Sequence, residues 1–391
     1  MELDVLREQL TEDLRRLKAP EGYLRAGAPR YTTLFGRDSL IAAWQMLDID
    51  PSIAAATLRI LASYQGRIVD GVSEEQPGKI LHEHRFDAAS RAEMPQWKFP
   101  YYGSVDSTLL FLIVGEAYLR KTGDLRLAKE LWKAFRWAYE WMRRYGDADS
   151  DGFVEYERSN PEGLFHQGWK DGSADHLHIQ PPVAMVEVQG YAYAAHRAFA
   201  YLSEAVDERA GASTAMAAAE DLRRRLNQDF WLEDQRFFAL ALDGTKRVRR
   251  AVTSNPAHLL LCGAMEARRL DPVVSRLFSP DLWTPFGVRT HARTEPDFDA
   301  ISYHLGSVWP HDNWFLYRGL LAVGREAEAR RVREALLKAY EALGKIPELY
   351  AVIDNRIVDL SRERTAFGQA NPVQAWASAG LLDMISRDKG A

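Results

Sequence analysis

Two acidic residues sit in surroundings that suit chemistry better than solvation. In the stretch Gln167-Gly-Trp-Lys-Asp-Gly172, Asp171 lies between glycines, beside a Trp and a Lys, a setting from which a carboxyl can project into a cleft. Asp-Gly is also an ordinary turn-former, so these residues alone leave a structural role open. In Gly344-Lys-Ile-Pro-Glu-Leu-Tyr350, Glu348 follows a proline that fixes its backbone and is flanked by Ile, Leu and Tyr, unlike a solvated face. Cleaving a glycosidic bond without a metal takes one protonated carboxyl to give a proton to the leaving oxygen and a second to activate water or attack carbon. Asp171 is read here as the general acid and Glu348 as the general base.

Groups that would hold a substrate come from several places. Arg37 and Asp38 can bind sugar hydroxyls through charge-assisted bonds, or form a salt bridge in which Asp38 caps a helix. Trp309, His311, Asp312 and Asn313 interrupt an otherwise apolar helical pattern, where unpaired burial is expensive; substrate binding accounts for them better than packing. Glu187 and Gln189 pose the same question more weakly, since each can be the other's buried partner. Tyr102, Asp106, Trp169, Lys170, Gln374, Trp376 and Glu83 complete the candidate binding set. The chain has 11 Trp, 16 Tyr and 16 Phe, several in polar stretches with Gly and Pro, and flat aromatic faces suit sugar rings.

Two metal-like patterns fall short. Asp147-Ala-Asp-Ser-Asp-Gly152 opens like a calcium loop but has Arg158 at the twelfth position, where a glutamate belongs, so it reads as a turn. His82 and His84 lack a third zinc ligand at a familiar spacing, and they or Glu83 are expected to line the cleft. No metal and no cofactor are expected.

The elements that must position these groups follow from apolar periodicity, which predicts about twelve helices and few strands. Segments such as 126–145, 209–229 and 325–343 carry an apolar stripe opposite charges, as outer helices do. Segments such as 104–120, 184–202, 255–266 and 306–323 are apolar nearly all round, as inner helices are. The two kinds alternate as 3–17, 38–47, 51–65, 104–120, 126–145, 184–202, 209–229, 255–266, 268–278, 306–323, 325–343 and 371–386. Six such pairs specify an all-α (α/α)6 toroid barrel, six inner helices inside six outer ones. Successive inner helices then run parallel, so their N-termini, where the candidate residues cluster, converge on one mouth. Three long connections, 66–103, 146–181 and 344–370, lead from an outer helix to the next inner one and lie over that mouth. No linker or composition break divides residues 1–391, so a single domain is expected.

Composition narrows the partners. Hydrophobic residues make up 47% and charged ones 27%, as in an ordinary globular chain, and no apolar run is long enough to cross a bilayer. The net charge of −5 is spread over mixed acids and bases without a basic stripe, which argues against nucleic acid. The first residues form an amphipathic stretch without a secretory signal's apolar centre, so a cytoplasmic location is expected. Cys262, the sole cysteine, excludes an internal disulfide and reads as core. A carbohydrate substrate is the expected partner; oligomeric state is left open.

Taken together and in order, FGRDSL, ILHEHR, YYGSVDST, DGFVEYER, QGWKDG, EVQGYAYAA, TSNPAHLL, SYHLGSVWPHDN, PELY and NPVQAW resemble the catalytic domain of bacterial glycogen-debranching, amylo-α-1,6-glucosidase-like proteins. The resemblance runs from about Tyr31 to Trp376 and extends to the wider group of inverting (α/α)6 glycosidases, which includes glucoamylases, trehalases and hydrolases of mannosylglycerate or glucosylglycerate. In that group the acid lies between the fifth and sixth helices and the base between the eleventh and twelfth, the connections that hold Asp171 and Glu348. It implies inversion by an activated water, with carboxyls about 6.5–9.5 Å apart. Only some thirty residues precede the barrel, where debranching relatives often carry a β-rich domain; a short α-glucoside, oligosaccharide or glycosylglycerate is therefore expected over a polymer. The relatives' QGWKDSWD reads QGWKDGSADHLH here, which points to a different leaving-group preference set by His176 or His178. A sugar epimerase on the same barrel would instead rely on His258, His304 and His311. A non-catalytic helical scaffold would expose a stripe on its outer helices, whereas the polar residues gather at inner-helix ends.

Overall fold

The computed structural model describes residues 3–362 and 370–387. Outer helices α1 (Leu3–Leu17), α3 (Ser52–Ser63), α6 (Leu125–Arg144), α8 (Ala212–Asp229), α10 (Ala267–Leu277) and α12 (Glu326–Leu343) alternate with inner helices α2 (Gly36–Gln45), α5 (Ser107–Thr122), α7 (Val186–Ala205), α9 (His258–Cys262), α11 (Pro310–Ala322) and α13 (Ala375–Ser386). A further short helix, α4 (Ala88–Ala92), lies in the first long connection. Inner helices touch in the order α2, α5, α7, α9, α11, α13 and back to α2, so the ring is closed. This is the all-α toroid that the alternating pattern predicts.

Side-chain size sets the layers. On α6 the residues Leu127, Leu131, Phe135, Ala138, Tyr139 and Met142 are buried at three- and four-residue steps while its charges face out. Phe135 meets Phe111 of α5 with ring centroids 5.1 Å apart, and Phe135→Ala would cost about 3–5 kcal/mol. The inner ring needs closer approach. A Cβ at Gly190 of α7 would lie 2.6 Å from Leu259 Cδ2, and one at Gly319 of α11 would lie 2.9 Å from the Leu261 backbone nitrogen, so glycine is what lets both helices close on α9.

The inner helices begin a few residues away from the periodicity boundaries: Ser107 against 104, Pro310 against 306, Ala375 against 371. The reason is a short extended entry before the first turn. Leu34–Phe35 pairs with Glu83–His84, Ala184–Met185 with Ala241–Leu242, and Val373–Gln374 with Gly27–Ala28, all antiparallel. Val308 bridges both Arg289 and Tyr350. Each mouth connection is thus clamped by backbone hydrogen bonds to the start of an inner helix. Hairpins also fill 231–249 and 283–288, so the connections after α8 and α10 join the three long ones over the mouth. Of 344–370, residues 363–369 lie outside the described residues.

The last pairing closes the ring at its seam. There Ala375 N donates to Ala26 O at 2.8 Å, α1 packs on α13, and Arg7 Nη2 donates to Ile385 O at 3.1 Å. On the opposite face, Gly123 and Gly324 turn the chain with φ of 67° and 74°, a backbone region that favours glycine. Among the described residues no helix is long and apolar enough to cross a membrane.

Candidate active site

A cavity of about 450 Å³ opens at the mouth, bounded by the starts of α2, α11 and α13, by residues from 82–97 and 164–174, and by Tyr303 and Glu348 from the connections before α11 and after α12. Of the residues singled out from sequence, Arg37, Asp38, Glu83, Trp169, Asp171, Trp309, Glu348 and Trp376 line it. They come from six segments spread over most of the chain, brought together by the common direction of the inner helices.

Asp171 enters from one side with its side chain about a quarter exposed, 26%. Its Oδ2 accepts Arg37 Nη1 at 2.9 Å, and Arg37 in turn gives Nε to Asp106 Oδ2 at 2.7 Å and Nη2 to Gln167 O at 3.1 Å. Asp106 therefore lies behind the wall and holds the arginine that holds Asp171. Burial raises the Asp171 pKa, and the Arg37 charge pulls it back toward its usual range. His304 Nε2 lies 4.0 Å from Asp171 Oδ1, its ring stacked on Trp309 at 5.3 Å and on His176 at 5.4 Å.

Glu348 enters from the connection after α12. Its Oε1 accepts the Tyr303 hydroxyl at 2.5 Å and its Oε2 accepts Asn371 N at 2.8 Å. Burial pushes its pKa up to about 7 despite these two donors, and the charge of Asp171 adds to the rise. The charge of Asp171 thus makes Glu348 harder to ionise. A polar chain continues from Glu348: Asn371 Nδ2 donates to Gln374 Oε1 at 3.0 Å, and Gln374 Nε2 donates to Asp38 Oδ1 at 3.1 Å. Burial lifts Asp38 to about 8, so at neutral pH it is largely protonated and can donate as well as accept.

Three indoles form the apolar part of the wall. Trp376 rests on His311 with centroids 4.0 Å apart, Trp169 meets the His311 edge at 4.9 Å, and Trp309 Nε1 donates to Tyr303 O at 2.7 Å. His311 thus supports the wall from beneath instead of facing the cavity.

The structure turns other candidates away from the cavity and gives most of them a partner. Lys170 Nζ donates to Thr290 O at 2.7 Å, and burial lowers its pKa to about 8. Asp312 pairs with His258 Nε2 at 2.8 Å. Asn313 bonds both Val288 backbone groups at 2.8 and 3.1 Å. Gln189 bonds both Val154 backbone groups at 2.8 and 2.7 Å, and so is not the partner of Glu187. Glu187 is fully buried beneath Gly168, and burial raises its pKa. The Tyr102 hydroxyl donates to Tyr64 O at 2.7 Å. Gln374 touches Asp38 rather than the cavity. Of the metal-like patterns, His82 and Glu83 line the cavity, whereas His84 packs at an angle against Tyr64 and edge-on against Phe86, each with ring centroids 4.6 Å away. In the Asp147 loop the Lys246 ammonium sits among Asp149, Asp151 and Glu155, at 2.7 and 2.6 Å from the first two.

The sequence reading passed over Tyr31, Phe35, Arg85, Met94, Trp97 and Tyr303, all on the wall. Tyr303 belongs to the quoted stretch SYHLGSVWPHDN, and its nearness to the inner-helix start was the available signal.

Residues 31–351 match the family model of the mannosylglycerate hydrolase MGH1-like glycoside hydrolase domain. A mannosylglycerate hydrolase of Rubrobacter radiotolerans is 27% identical over 174 residues, 43% of this chain, and the match spans only about a third of that relative, 36%. Among solved structures, the GH63 mannosylglycerate hydrolase from Thermus thermophilus with Tris and D-glycerate superposes with a TM-score of 0.74 at 16% identity, covering 97% of this chain and all of that one. The same protein with glucose gives 0.73 at 16% identity over 98% of this chain and 100% of that one. A wild-type glycosidase gives 0.66 at 14% identity over 97% of this chain and 95% of that one. These likenesses bear on the fold.

Proposed function

The chain belongs to the MGH1-like glycoside hydrolase family, and from that premise we propose that it hydrolyses a short α-glycoside with inversion, Asp171 acting as general acid and Glu348 as general base. The observation that carries the reading is the pair of carboxyls reaching one cavity from different connections, each raised in pKa and each held by its own neighbours. In the proposed reaction Asp171 gives its proton to the glycosidic oxygen as the bond to the sugar breaks. Glu348 takes a proton from the water that attacks the same carbon from the opposite face. Arg37 sits against Asp171 throughout and would stabilise the carboxylate left behind. Asp38 and the three indoles would hold the sugar undergoing cleavage.

The family match supports the glycoside hydrolase group named above and leaves its debranching branch without comparable support. Hydrolysis of mannosylglycerate or glucosylglycerate, the alternative drawn from the sequence, gains support from the names of the relatives, while the α-glucosidic reading gains none. The epimerase reading loses ground, because His258, His304 and His311 are not among the residues that line the cavity.

The test uses isomaltose, maltose, panose, trehalose, glucosylglycerate and mannosylglycerate beside α-glucosyl and α-mannosyl fluoride. Loss of a general acid slows substrates with poor leaving groups by roughly 10²–10⁴. Asp171→Asn is expected to show that loss on the panel and a much smaller one on the fluorides, whose leaving group needs no proton. Glu348→Gln is expected to lose both. Proton NMR of the first turnover is expected to show the β-anomer. An α-anomer, or an Asp171→Asn enzyme equally slow on fluoride, would overturn the assigned roles.

A further inference from the structure

We infer that the leaving-group side of the cavity is built for a second sugar ring, with Trp97 as its platform, so that the preferred substrate is an α-linked disaccharide or short oligosaccharide and not a glycosylglycerate. The inference rests on the hydrolase reading above.

The leaving group departs on the side of the acid, so the question is which wall belongs to Asp171. The residue after it, Gly172, forms an antiparallel bridge with His166, and its carbonyl accepts Phe165 N at 2.8 Å. The next residue back, Leu164, lines the cavity, and its N–H donates to the Tyr101 hydroxyl at 2.8 Å. Tyr101 stacks on Trp97 with ring centroids 4.1 Å apart and planes 21° apart. Trp97 Nε1 then donates to Glu162 O at 3.1 Å, a second tie to the acid's connection. A short path of packed groups therefore joins Trp97 to the connection that carries Asp171.

Tyr101 covers one face of the Trp97 ring, His82 and Phe99 meet it edge-on with centroids 6.0 and 6.3 Å away, and what remains of the ring lines the cavity. Met94 and Leu164 line it beside them, an apolar surface of the kind that receives the C–H face of a pyranose. The stacking on Tyr101 and the bond to Glu162 fix the ring before any ligand arrives, which keeps the ordering cost of binding low.

Glycerate would bring a carboxylate to this wall. Among the described residues lining this side of the cavity, the cation is Arg85, whose Nε is held by Glu83 Oε1 at 2.5 Å and whose Nη1 is held by Glu93 Oε2 at 2.8 Å. An incoming carboxylate would be the third on one guanidinium. The other arginine on the wall, Arg37, already lies between Asp106 and Asp171. A neutral sugar ring meets neither conflict.

The experiment compares kcat/KM for wild type, Trp97→Ala and Trp97→Phe on the disaccharides, the two glycosylglycerates and the two glycosyl fluorides, which place no ring in the leaving-group position. The expected result is that wild type prefers at least one disaccharide over either glycosylglycerate by tenfold or more. Trp97→Ala is expected to lose at least tenfold more on that disaccharide than on the fluoride of the same sugar, mainly through KM, and Trp97→Phe to recover most of the loss. If a glycosylglycerate is the best substrate, or if Trp97→Ala lowers disaccharide and fluoride turnover equally, the inference is wrong while the hydrolase reading stands. If no fluoride is hydrolysed, the hydrolase reading falls and takes the inference with it.

Discussion

Tyr303→Phe isolates what sets the protonation of Glu348. The phenol donates to Glu348 Oε1 at 2.5 Å and favours the ionised carboxylate, while Asn371 N holds the other oxygen. A hydrogen bond to a charged group contributes about 1.5–3 kcal/mol, and about 1.4 kcal/mol corresponds to one pKa unit. Removing the hydroxyl therefore raises Glu348 from about 7 by roughly one to two units. The sign follows directly: a base must be ionised to act, so the acidic limb of kcat/KM moves to higher pH. At pH 6 the ionised fraction falls from about one-tenth to about one-hundredth or less, and the variant loses roughly tenfold to a hundredfold there. Well above the new pKa the loss shrinks to a few-fold. Glycosyl fluoride is the substrate of choice, because without a need for the acid its pH profile reports the base alone; fluoride release from pH 4.5 to 9.5 gives the limb. A limb that stays in place, or a loss of equal size at every pH, would refute the coupling of Tyr303 to Glu348.

Asp38→Asn is expected to stabilise the fold while abolishing activity. Burial lifts Asp38 to about 8, above its unfolded value near 4, so below pH 4 the carboxyl carries no penalty, and the penalty grows up to pH 8. The variant's gain in Tm is expected to be absent at pH 4 and greatest at pH 8, and an equal gain at both would contradict a buried charge as its source. Gly36→Ala and Gly123→Ala separate crowding from backbone strain. At Gly36 a Cβ would lie 2.0 Å from Leu81 O and 2.8 Å from Ser107 Oγ, so about 3 kcal/mol is expected to be lost along with the placement of Arg37. At Gly123 no atom lies within 4 Å but φ is +67°, which predicts about 1 kcal/mol. Urea denaturation followed by circular dichroism distinguishes them, and equal losses would refute the distinction.

Periodicity located the barrel helices because each must bury an apolar stripe or an entire surface, and burial writes itself into residue type every three or four positions. The two-residue pairings that clamp the mouth leave no such mark. Phe35 with Glu83 and Gln374 with Gly27 are joined through backbone atoms, which every sequence has. The same limit explains the candidate residues that turned away. Trp169 and Asp171 line the cavity while Lys170 between them points back to Thr290. The chain bends through 168–170, and proximity in a motif could not say which two shared a side. Asp312 and Asn313 were read as substrate-binding because unpaired burial is costly, but the partners that burial demands are His258 and Val288, 54 and 25 residues away. Trp97 and Tyr31 stand in aperiodic connections, where an aromatic carries no directional signal at all.

The seam between α1 and α13 has a topological consequence. Because Leu3–Leu17 lies against Ala375–Ser386, and because Asp38 and Gln374 join hands across the closure, the twelve helices form a circle in which no hairpin is intrinsically first or last. Bridging the start of α1 to the end of α13 and reopening the chain at Gly123 or Gly324, on the face away from the mouth, would renumber the protein without moving a wall of the cavity. Reopening it within 303–308 would leave the same helices in the same circle, yet cut the short span that links Tyr303, the partner of Glu348, to the start of α11. Order of synthesis and architecture are separable here, and only the mouth-side connections are tied to the chemistry.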